Sequence, residues 1–220
     1  MKALLGLAQL QQLLQSIHGV QAAPVHEFLV DRAFRERHAP RSSPHEALLL
    51  RENGKELQVA LFLDDSVLAH LARSASDPWT EERLAGFCAA AEGVSHFLYV
   101  AQRARQGGQV SQLELEAQGE IDKYLAVMLQ LWATGRRSAS RELRRRLFER
   151  SVLRPGLSAP ERDRYRLASA LAAACARAWE ARYVLQGRLD ALLREARRVY
   201  RLAGGEKFSA FAHGSVAWAA

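Results

Sequence analysis

Cysteine is nearly absent from this chain of 220 residues: Cys88 and Cys175 stand apart, each in an apolar stretch, with no Cys-x-x-Cys pair. That excludes a framework of several disulfides and leaves two thiols that read as reduced core residues, a usage that fits a cytoplasm. Long hydrophobic runs are missing too. Glutamine, arginine or glutamate breaks every candidate before about 18 consecutive apolar residues, the length a membrane-spanning helix needs, so a soluble protein is expected. No phosphate loop, Gly-x-Gly-x-x-Gly, His-Glu-x-x-His, Gly-x-Ser-x-Gly or calcium loop occurs. The common locally encoded signatures are thereby excluded, whereas catalytic groups that meet only in space are not.

What is present suffices for a sizeable core, with 49% hydrophobic and 25% charged residues. The opening Met1-Lys2, with Leu4, Leu5, Leu7 and a Val20-Gln21-Ala22 triplet, superficially resembles a signal peptide and its cleavage site. Gln9, Gln11, Gln12 and Gln15 break its apolar centre. Leu7, Leu10, Leu14 and Ile17 instead form one stripe of a helix ending at His18-Gly19, so export is the minor reading and the cytoplasm the expected location.

Lysine is scarce, with 27 of the 31 basic residues being arginine, a bias that a GC-rich genome alone can produce. The charges are also unevenly placed. Residues 1–135 carry 12 basic against 16 acidic side chains and residues 136–220 carry 19 against 8, giving −4 and +11. A basic half attracts acidic proteins, nucleic acid or an acidic membrane surface, and its field acts on association rather than on fold.

The pattern predicts a mainly α protein of the α+β class, a single domain of roughly five to seven helices with a small antiparallel hairpin near residues 47–63. Three parts are distinguished: 1–45, a helix and connecting segment; 46–135, the hairpin and a central helix pair; and 136–220, a basic helical part with a short tail. Asn53-Gly54 suits a two-residue turn between apolar strands. That turn would set Leu50 opposite Leu57, Leu48 opposite Val59, Arg51 opposite Glu56 and Glu52 opposite Lys55, with Glu27–Val30 as a candidate third strand. Helices are expected from a cap at residues 64–66, over about 80–105, over 111–134 behind the capping box Ser111-x-x-Glu114, over 140–150, and from the capping box Ser158-x-x-Glu161 to about Leu202 with a break near Gly187. The loop 38–44 and the tail with Phe208, Phe211 and Trp218 show no period.

Two constellations carry chemistry. Glu92, His96, Tyr99 and Arg103 follow at intervals of 4, 3 and 4 on one helix, and the next helix offers Glu114, Glu116, Glu120 and Asp122. An antiparallel pair would bring His96 near Glu120. Glu92, His96, Tyr99 and Glu120 are then candidate proton-transfer groups, and Glu92, His96, Glu116 and Glu120 candidate ligands of a transition metal. The Glu-to-His spacing of four, without a second copy, departs from the Glu-x-x-His of di-iron bundles, so no cofactor is expected. The second constellation is Arg137, Arg141, Arg144 and Arg145, which share a helix face able to hold acidic groups or phosphates. Leu143, Leu147 and Phe148 share the segment, so the other reading is an amphipathic surface helix with a solvated basic face. The favoured expectation is a non-catalytic interaction or assembly protein of a bacterial-type cytosol, docking an acidic protein through these arginines. A metal-binding or enzymatic helical protein comes second and a nucleic-acid binder third.

Overall fold

The computed structural model describes residues 2–40, 43–54, 56–73, 77–150 and 152–214. It is mainly α: 69% helical, with nine α-helices and a three-stranded mixed sheet among the described residues. The chain divides into two compact units, Met1–Ser16 with Val20–Gln109, and Ile17–Gly19 with Val110–Ala220.

In the first unit, α1 (Lys2–His18) buries the expected stripe of Leu7, Leu10 and Leu14. Its Gly6 lies so close to the backbone of Leu71 that any side chain would collide with that carbonyl oxygen. Gln11 ties the chain that follows, donating to the Ala23 carbonyl and accepting from the Val25 amide, both at 2.8 Å. The third strand is found, shortened to β1 (Leu29–Val30). Then comes a helix without a sequence signal strong enough to foresee, α2 (Arg32–His38), capped by Asp31, whose carboxylate accepts from the Phe34 amide at 2.7 Å.

β2 (Glu46–Asn53) and β3 (Glu56–Leu63) form the hairpin, and β1 joins the far side of β3 in parallel, giving the order β1-β3-β2. The register differs from the expected one. Leu50 pairs with Val59, Leu48 with Leu61, Arg51 with Gln58 and Asn53 with Glu56, so each β2 residue meets a partner two positions further along β3. Asn53 is thus the last strand residue, and Gly54, at φ +64°, begins the turn. A shift of two leaves every side chain on its original face, so apolar alternation could not separate the two registers. The anticipated Arg51–Glu56 pair is not formed, and the anticipated Glu52–Lys55 pair falls on a position outside the described residues.

α3 (Asp65–Leu71) is capped by Asp64, and α4 (Glu81–Arg105) by Thr80 with Glu81 and Glu82 in the first turn, where the helix dipole favours acidic groups. At Gly93 a side chain would press on Leu61 and Leu63 of β3, so the missing Cβ lets the helix sit close on the sheet. α4 is the one described helix long and apolar enough to cross a membrane by length and composition, and 78% of its most apolar window is buried.

The second unit begins with α5 (Gln112–Ala133), whose Ser111–Glu114 capping box forms as expected. A 3-10 turn (Arg137–Ala139), α6 (Ser140–Arg144) and a π-helical turn (Arg145–Glu149) follow. The Ser158–Glu161 box starts α7 (Ala159–Trp179), which passes into a second π-helical turn (Glu180–Val184) before the expected break at Gly187, φ +70°. α8 (Leu189–Arg201) and α9 (Gly204–Ala212) complete it. α9 and α2 bring the helix count above the expected range. α9 opens on two glycines, residues that sequence reading takes as an end. α5 packs chiefly on α7, burying Ile121, Leu125 and Met128 with Ala168, Ala172, Cys175 and Trp179 in the unit's core. Trp218, in the tail, lies outside the described residues.

Candidate functional site

Of the first constellation, Glu92, His96 and Tyr99 stand on α4 of the first unit, with Glu92 half-buried and the other two buried. Glu116 and Glu120 stand on α5 of the second unit, both half-buried and both facing cations of their own unit. Glu120 accepts from Lys123 Nζ at 2.9 Å, and Glu116 lies 3.9 Å from Arg164 Nε.

A fully buried polar contact in the second unit involves residues the sequence did not join. Asp122 Oδ1 lies 2.8 Å from His18 Nε2 and accepts from Gln118 Nε2 at 2.8 Å. A carboxylate only accepts, so Nε2 carries the ring proton in this contact. The imidazole is stacked on Tyr200 with centroids 4.0 Å apart and planes 16° from parallel. Side-chain exposures of 2% for His18 and 1% for Asp122 leave no room for a substrate, so the pair is a brace joining the end of α1 to α5 and α8. The 104 residues separating the partners hide it from any local pattern.

A second buried carboxylate organises the basic segment. Glu180, the first residue of the π-helical turn after α7, accepts from Ser140 Oγ at 2.8 Å and from Arg144 Nε at 3.2 Å. Arg144 also holds Glu149 at 2.8 Å. Burial alone would lower its pKa, but the two carboxylates outweigh that and hold it above the ordinary arginine value. Tyr124 shares this environment. Burial above all, and the Glu180 charge, push its hydroxyl well above the ordinary tyrosine value, and its oxygen has no hydrogen-bond partner among the described residues.

The expected arginine face is therefore corrected at one position. Arg144 turns inward because its guanidinium is the donor that Glu180 requires. Arg137, Arg141 and Arg145 are exposed, and none has an ion pair among the described residues. They recur every four residues, from the 3-10 turn through α6 to the start of the π-helical turn. Arg137 lies over the Trp132 ring at 5.7 Å. Neighbouring Arg150 is neutralised by Glu142 at 2.8 Å. The second unit as a whole carries 20 basic against 12 acidic residues, a surplus of +8, and the first carries 11 against 12. Comparison with protein families, with curated proteins and with solved structures found no match.

Proposed function

We propose that this is a non-catalytic interaction or assembly protein of the cytosol that docks an acidic protein surface on its second unit. One observation carries the reading. Arg137, Arg141 and Arg145 stand in solvent without carboxylates, while the neighbouring Arg144 is consumed internally by Glu180 and Glu149. Guanidinium groups spaced along one short helical segment offer forked donors that match carboxylates, and unpaired ones pay no exchange cost on binding.

The test is binding of a fluorescent poly-glutamate peptide and of a duplex DNA of equal charge, at graded salt, to the wild-type protein and to a variant with all three arginines changed to glutamine. The reading expects peptide binding that weakens with salt and is lost in the variant. Preference for the DNA would transfer the face to nucleic acid, and equal binding by both proteins would remove the face from the argument. The metal-dependent alternative, with Glu92, His96, Glu116 and Glu120 as candidate ligands, is the second reading. Metal analysis of the purified protein decides it.

A further inference from the structure

In the first unit a concavity of about 590 Å³ opens between α2 and the hairpin. Its construction follows from the observed register. Leu49 pairs with Ala60 and Arg51 with Gln58, so these two neighbouring cross-strand pairs place four side chains on one face of the sheet. α2 crosses the same face, since Arg35 lies over the ring of Phe62, two residues along β3 from Ala60. Phe34 and His38, one helical turn apart, supply the other wall, with ring centroids 4.3 Å apart.

The walls are chemically divided. Phe34, Leu49 and Ala60 are apolar, and Phe34 is left 39% exposed. Arg51, His38 and Gln58 bring hydrogen-bond donors, and among the described residues no carboxylate lines the space. Arg51 has no ion pair among the described residues, although Glu52 and Glu56 stand at flanking positions of the hairpin. An apolar floor with a few convergent polar groups, in the volume range of small-molecule sites, is the general form of a ligand pocket. We infer that this concavity binds a small organic acid, its carboxylate held by Arg51 with help from His38 and Gln58, and its hydrocarbon body lying on Phe34, Leu49 and Ala60. A guanidinium selects a carboxylate over an alcohol or an amine because only the carboxylate completes paired, charge-assisted hydrogen bonds.

Octanoate, octanol and octylamine share one hydrocarbon chain and differ only in the head group, so they separate the two halves of the site. Each is titrated into the full chain while backbone amide shifts are followed. The expected result is saturable binding of octanoate with the largest shifts at Leu49, Arg51 and Ala60, and binding of octanol and octylamine at least tenfold weaker. Arg51→Gln, at an exposed position, should weaken octanoate about tenfold, the loss of one charge-assisted contact. Ala60→Phe, which fills the floor, should abolish binding in protein whose circular dichroism is unchanged. Non-saturating octanoate, shifts centred elsewhere, equal binding of octylamine, or an Arg51→Gln affinity equal to wild type would each overturn the assignment.

Discussion

In the first unit, the buried ionic side chains among the described residues include Arg35, over the Phe62 ring, and Arg83, over Trp79 at 4.2 Å, where it also donates to the carbonyl oxygens of Asp77 and Pro78. In the second they are the carboxylates Glu114, Asp122 and Glu180 together with Lys207. A guanidinium spreads its charge over a flat, weakly hydrated group, so an aromatic face and a nearby carbonyl suffice to cover it. A carboxylate concentrates its charge and must find directed donors. Those donors come from afar: His18 for Asp122, Ser140 and Arg144 for Glu180, and the Gly204 amide for Glu114. Arg83 is thus covered by neighbours in sequence and Arg35 by a ring of the sheet, whereas the buried carboxylates of the second unit tie distant segments together through directed hydrogen bonds.

The sharpest way to break this contrast is Asp122→Ala. It strands the His18 ring and the Gln118 amide in the interior, so about 3 kcal/mol of stability should be lost in urea denaturation. A cost under about 1 kcal/mol would mean that the carboxylate is dispensable. Arg83→Ala comes next, at about 1–2 kcal/mol, for a cation over an aromatic ring with its carbonyl contacts. A larger loss there than at Asp122 would reverse the comparison.

Glu114→Gln should cost about 1 kcal/mol, in the range of a lost helix cap, and should also change the acid response. Burial would raise the Glu114 pKa, but the Ser111 and Gly204 amides, the Ser111 hydroxyl and Lys207 outweigh it and hold it below the ordinary glutamate value of 4.5. A lowered folded-state pKa contributes stability that is complete above 4.5 and fades as pH falls through the lowered value. Wild type should therefore lose stability more steeply than Glu114→Gln below that pH, as read from melting temperatures in a pH series. The smallest effect belongs to the surface. Replacing Arg137, Arg141 and Arg145 by glutamine should alter stability by less than about 0.5 kcal/mol while removing capture of an acidic peptide.

How much of this was legible in the sequence depends on the range of the interaction. Caps, the turn glycines Gly19 and Gly187, and the apolar stripe of α1 are set by residues within one or two turns, and the structure follows them. The hairpin was legible as a hairpin, but its register rests on turn geometry that alternation does not encode. The two capping boxes show the limit more finely. Ser111–Glu114 and Ser158–Glu161 are identical as motifs, yet Glu161 stays at the surface while Glu114 also receives an amide 90 residues away. Likewise the face of Arg137, Arg141, Arg144 and Arg145 gave no sign that Arg144 would turn inward, because its partner Glu180 stands 36 residues further on. Asp122 was visible as one acidic residue among four, and His18 as one scattered histidine. Nothing short of the fold joins them.

The bond from Glu114 to the amide of Gly204 also sets an order of events during synthesis. The carboxylate belongs to the first full helix of the second unit, and its donor 90 residues away belongs to the last described one, α9. A growing chain can form the Ser111 half of the cap as soon as α5 leaves the ribosome, since that closure spans three residues. The other half must wait until the chain has passed Gly204 and Lys207, and it then closes a loop whose entropic cost grows only with the logarithm of its length. α9, the last described helix, acts as a clasp on the first turn of α5.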